Sequence, residues 1–178
     1  MAEYLGPLEL VGDRWIIGDP KREGGTCLVF TREGIEYHRN GAPEPLELVP
    51  WERVMSLQVD ATSRGWMATR AGGAIPYLAQ SSAGSWGRDA CSVHALVRHP
   101  YDDWFVRYTH HERAYSGAHI YLVSRFIRAV SDAKLLPRLG DPQWVSLAVA
   151  KIAPLKIGFS TARRVKDTVE GVEGAGRL

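Results

Sequence analysis

The sequence predicts an α+β fold: an antiparallel β-sandwich or partly open barrel of about seven strands, closed by a C-terminal amphipathic helix, plus one extra C-terminal helix. Three observations carry this. Two β-prone runs, Cys27–Arg39 and Cys91–His110, each double back through turn residues. After His110 the apolar spacing changes from alternation to a helical period. Pro137 and Gly140 then close that helix, and Asp141–Pro142 offers an N-cap and a first-turn proline for the next.

In chain order, residues 8–17 (Leu8, Leu10, Val11, Trp15, Ile16, Ile17) read as a first strand broken near Gly12–Asp13. A polar turn from Asp19 to Gly25 follows, punctuated by Pro20 and two glycines. Thr26–Thr31 and Ile35–Arg39 form a hairpin across Arg32-Glu33-Gly34, where a type I turn with a Gly bulge is expected because glycine enters the left-handed region cheaply. A strand through Leu46, Leu48 and Val49 turns a corner at Pro50-Trp51-Glu52-Arg53, and Val54–Val59 continues as strand.

Residues 61–90 are rich in Ala, Gly and Ser and lack a sustained period, an unusual length for a connection inside a compact domain. The second hairpin alternates on both arms. Placing His99 opposite Trp104 sets Val97 against Val106 and Ala95 against Tyr108, so the apolar sets coincide. From about Ser116, Ile120, Val123, Ile127 and Val130 with Leu122 and Phe126 define one broad buried helix face, and a second helix runs through Trp144, Leu147, Ala148 and Ile152. The expected organisation is a single domain over residues 1–158 with its helical extension, and a flexible or weakly helical tail over 159–178.

Composition bounds the function. A chain of 178 residues with 45% hydrophobic and 10% aromatic side chains can bury a full core. A formal charge of +2, from 22 basic and 20 acidic residues, creates no global pull toward nucleic acid or an anionic membrane. Met1–Leu5 lacks the basic start and apolar run of a signal peptide, and the longest apolar stretch, Val145–Leu155, is too short for a bilayer. Cys27 and Cys91 read as reduced, buried thiols, which fits the cytoplasm.

The hairpin Leu28-Val29-Phe30-Thr31-Arg32-Glu33-Gly34-Ile35, the corner Val49-Pro50-Trp51-Glu52-Arg53-Val54 and the late amphipathic helix together resemble the bacterial pleckstrin-homology-like (PH/GRAM-type) superfamily. The resemblance covers roughly residues 8–136 and marks a fold corner, not a chemistry. It implies a non-enzymatic domain that binds proteins, peptides or lipid headgroups. Headgroup binding there uses a basic cluster between the first two strands. In this chain that loop holds Lys21 and Arg22, or only Arg32 offset by Glu33, which is less basic than the family's pattern.

Candidate site residues follow from side-chain chemistry. Arg98, Arg107, Arg125 and Arg128, with Arg113, Phe105 and Tyr121, could join the hairpin's outer face to the helix as a phosphate, nucleic-acid or acidic-peptide surface. The plain alternative is a solvated face balanced by Asp102, Asp103 and Asp132. Trp66 and Trp86 are candidate binding anchors or core fasteners. Five histidines (His94, His99, His110, His111, His119) lie in one stretch, but their spacing is not that of a zinc site and the hairpin register separates most of them. Ser85 imitates a nucleophile elbow without the flanking strand and helix such an elbow needs. The reading favours no catalytic residues, no cofactor and no metal. It favours an interaction domain for a protein or peptide partner; the alternatives are a small enzyme with a polar or metal site near His110–His119 and a binder of anionic lipid, phosphate or nucleic acid.

Overall fold

A computed structural model describes residues 4–64 and 89–175. It is α+β: nine strands in two antiparallel sheets and three helices. The first sheet runs in sequence order through β1 (Tyr4–Leu5), β2 (Leu8–Val11), β3 (Arg14–Ile17), β4 (Thr26–Phe30), β5 (Gly34–Arg39) and β6 (Glu47–Pro50). The second holds β7 (Val54–Asp60), β8 (Ser92–Val97) and β9 (Asp102–Arg107). Among the described residues no ladder joins the sheets, and they do not close into a barrel. The helices are α1 (Gly117–Asp132), α2 (Pro142–Ile152) and α3 (Thr161–Ala175).

Nine strands replace the expected seven for a local reason. Gly12 adopts φ +63°, and Val11 pairs with Arg14, so the first run is a tight hairpin and not one broken strand. The two-residue β1 adds the remaining strand. Trp51 turns the chain between the sheets within a 3-10 turn, and its indole donates to the Thr31 carbonyl at 2.8 Å. This hydrogen bond ties the corner to the first of the expected hairpins.

Gly34 differs in mechanism from the expected bulge. It sits at the start of β5 and is absent from the positive-φ residues. A Cβ there would lie 2.1 Å from the Val49 carbonyl oxygen, so close approach of β6, and not a left-handed turn, requires glycine. In β7 a bulge between Val54 and Ser56 restores alternation, letting Val54, Leu57 and Val59 all point inward while Ser56 and Gln58 face out.

The β8–β9 register also differs. Val97 pairs with Asp102, Ala95 with Trp104 and Val93 with Val106. The shift along β9 is an even number of residues, so every side chain keeps its expected face. Tyr108 is thereby drawn out of the facing pair with Ala95. Its N–H donates to the Cys91 carbonyl and its hydroxyl to the Asp60 carbonyl at 2.7 Å, binding the strand ends.

One buried cluster takes residues from both sheets and all three helices. Ser116 caps α1 by accepting from the His119 N–H, and Asp141 caps α2 by accepting from the Gln143 and Trp144 N–H groups. Trp15 on β3 donates its indole N–H toward the Pro142 carbonyl and Ser146 Oγ, both 3.2 Å away, which seats α2 against the first sheet. Of the tail expected to be flexible or weakly helical, Thr161–Ala175 forms α3. Val165, Val169 and Val172 recur at helical spacing and are all buried, while Arg138 grips the buried Glu173 carboxylate through two hydrogen bonds of 2.7 and 2.9 Å. The helical end therefore adds two helices beyond α1 and not one. Among the described residues no helix is long and apolar enough to cross a membrane.

Candidate functional site

Two polar concavities collect the sequence's candidate residues. The larger follows from β7 being, among the described residues, the terminal strand of its sheet with α1 packed beside it. Outward-facing Ser56 and Gln58 on the strand meet Tyr121, Ser124, Arg125 and Arg128 on the helix across a groove of about 470 Å³. Arg125 stacks its guanidinium over the Tyr121 ring, 5.0 Å from the centroid. Arg128 reaches Asp132 only at 3.8 Å on an exposed helix face, a pairing that contributes little. Among the described residues neither guanidinium fork is taken by a hydrogen bond, and Asp132 is the one acid that shares the groove with them.

The second concavity, about 320 Å³, opens where the strand-to-helix connection crosses the ends of β2 and β3. Lys21 and Arg22 stand on its exposed rim, with Glu9, Asp19, His111 and Arg113 among its lining. Beneath it lies a closed network. Tyr115 Oη accepts the His111 backbone N–H at 3.1 Å and shares a 2.6 Å hydrogen bond with His111 Nδ1. His111 Nε2 lies 3.3 Å from Glu9 Oε2 without hydrogen-bond alignment. Arg113 neutralises Glu9 at 2.5 Å, donates to the Gly6 carbonyl at 2.9 Å, and stacks over Tyr4 and Tyr115.

Burial, assisted by the Arg113 charge, pushes the His111 pKa down to about 4, against the opposing pull of Glu9 and Asp19. Burial likewise raises the Tyr115 phenol well above its ordinary value. His110 stacks on Tyr115 with centroids 4.0 Å apart, and its two nitrogens face the His111 and Thr62 carbonyls at 2.5 and 2.9 Å. These groups hold one another and the connection in place. Among the described residues no three His, Cys, Asp or Glu side chains converge as a metal site.

The remaining candidates fall elsewhere. Arg98 donates to the Glu52 carbonyl at 2.9 Å, and Arg107 binds Asp89 with distances of 2.5 and 2.6 Å. They occupy opposite ends of the β8–β9 hairpin, and neither lines the groove of Arg125 and Arg128, so the four arginines do not form one surface. His94 packs on Phe105 on the hairpin's outer face, apart from the His110–His111 network. Trp66, Trp86 and Ser85 lie outside the described residues. Sequence reasoning found Arg125, Arg128 and the His110–His119 stretch but missed Glu9, Asp19 and Tyr115. Glu9 and Asp19 come from the other end of the chain, and only folding brings them to His111.

No protein-family model matches the chain, and neither a curated protein nor a solved structure does.

Proposed function

We propose that this chain is a non-enzymatic interaction domain of pleckstrin-homology-like type, working in the cytoplasm, that takes an extended acidic segment of a partner protein into the groove between β7 and α1. The observation that carries this reading is the terminal strand β7 lying beside an α1 face that offers two guanidinium groups. A sheet edge supplies backbone hydrogen bonds to an added strand, and side chains beside it supply selectivity. Arg125 and Arg128 select carboxylates, while Ser56, Gln58 and Ser124 present neutral hydrogen-bonding groups. Free, buried Cys27 and Cys91 are compatible with a reducing compartment. The enzyme alternative is less well supported, because the His111 Nε2 is sealed from solvent and Tyr115 is committed to His111. The polyanion alternative loses Arg98 and Arg107 to internal partners.

The test is selection of binders from a random linear peptide display library, followed by titration of the winners. Acidic peptides are expected, with an Arg125→Glu/Arg128→Glu double variant binding at least about tenfold more weakly, a loss of about 1.4 kcal/mol. Equal binding by the double variant, with an unchanged circular dichroism spectrum, would sink the reading.

A further inference from the structure

From Pro142 to Lys166 the chain carries Lys151, Lys156, Arg163, Arg164 and Lys166 and not one aspartate or glutamate. This acid-free stretch spans α2, the connection to α3 and the first turns of α3. It also holds the most protruding apolar side chain in the described structure: Phe159 is 113% exposed relative to an extended reference. Ile157 and Leu147 are 50% and 56% exposed beside it in the same stretch. Three of the other exposed apolar residues keep acidic company: Leu46 and Leu48 flank Glu47, and Tyr101 precedes Asp102 and Asp103.

The connection that presents Phe159 is braced. Buried Thr161 accepts from the Gly158 N–H at 2.7 Å and donates toward the Lys156 carbonyl at 3.3 Å, while its own N–H reaches the Gly158 carbonyl at 3.1 Å. Residues 156–161 thus form a held turn with Ile157 and Phe159 directed outward. One helical turn apart on α2, Leu147 and Lys151 share an exposed face leading into it. Arg163 and Lys166 have only long, exposed contacts to Asp167 and Glu170, at 3.9 and 3.8 Å. Lys151, Lys156 and Arg164 have no carboxylate within 4.0 Å among the described residues.

We propose that the α2–α3 corner is a contact site for an anionic lipid bilayer, with Phe159 and Ile157 entering the headgroup–acyl boundary and Lys151, Lys156, Arg163 and Arg164 lying against the headgroups. An aromatic and an aliphatic tip flanked along the chain by cations is the chemistry that partitions into such a boundary, apolar burial and charge attraction adding together. The inference does not depend on the peptide groove, since none of the variants below touches Arg125 or Arg128.

The experiment is flotation of the full chain with phosphatidylcholine vesicles with and without phosphatidylserine. Binding to the anionic vesicles at low salt is expected, with none to phosphatidylcholine alone and loss at high salt. Ile157→Ser/Phe159→Ser is expected to lower partitioning about tenfold or more, and Lys151→Glu/Lys156→Glu similarly, both with unchanged circular dichroism. A Phe159→Trp variant then reports location: added emission that shifts blue and is quenched by brominated acyl chains places the tip in the bilayer. Absence of low-salt flotation, flotation unaffected by the serine pair, or unshifted tryptophan emission each overturns the proposal. So does a concentration-dependent dimer that the serine pair dissolves while vesicles go unbound.

Discussion

His111 is a base that the folded chain holds neutral, and this makes stability depend on pH with a definite sign. Above pH 6.5 the imidazole is neutral folded and unfolded, and it contributes no pH dependence. Between 6.5 and about 4 the unfolded chain takes up a proton that the folded one declines, so stability falls as pH falls through that window. The accumulated loss is about 3 kcal/mol, and it levels off once both states are protonated. His119, whose pKa is lowered first by burial and then by Arg113, acts in the same direction. Urea unfolding of the native protein and a His111→Asn variant across this range checks the point: the variant's stability should fall less steeply. Parallel curves would mean that His111 is not the titrating group. Part of this site was legible, since His110 and His111 open the stretch that the sequence marks. Glu9 was not, because a single acid on an alternating strand looks like any solvated residue until Arg113 is brought to it.

At the scale of elements, α3 depends on three valines and one ion pair. Val165, Val169 and Val172 supply its only apolar stripe, and Arg138 reaches Glu173 from the 3-10 turn Leu136–Gly140. Glu173 also raises the Arg138 pKa further by accepting its hydrogen bonds. Glu173→Ala is expected to cost about 1–3 kcal/mol, because a charged donor loses its partner and the helix loses its clamp. Hydrogen exchange should show α3 amides losing protection before those of β4 and β5; uniform loss would contradict a local role. The sequence left this segment open between a flexible and a weakly helical tail, because exposed charges and the glycines Gly171 and Gly174 leave a stripe too narrow to stand out from the polar background. The long apolar faces of α1 were plain by contrast. The β8–β9 pairing was half legible: alternation determines which face a residue takes, but not how far one arm slides along the other by even steps.

For the whole molecule, the two thiols report on cooperativity. Cys27 and Cys91 are both buried, and burial pushes each pKa up to about 11. Cys27 belongs to a small cluster with Ile16 and Val29, and Cys91 to the main core. Alkylation near neutral pH should therefore be slow for both and should accelerate together across the denaturant midpoint. Early reaction of Cys27 alone would show that the small cluster opens independently. The antiparallel β-rich plan with a helical end was legible from turn chemistry and period, whereas the contacts uniting the sheets with the helices join distant parts of the chain. The Trp15 indole, which hydrogen-bonds toward Pro142 and Ser146, has a consequence for synthesis. During translation the β2–β3 hairpin leaves the ribosome long before its lid on α2 exists, so its tryptophan must wait uncovered while most of the chain is made. Nascent chains stalled before Pro142 should thus carry an accessible indole, and the domain can finish folding only after α2 has emerged.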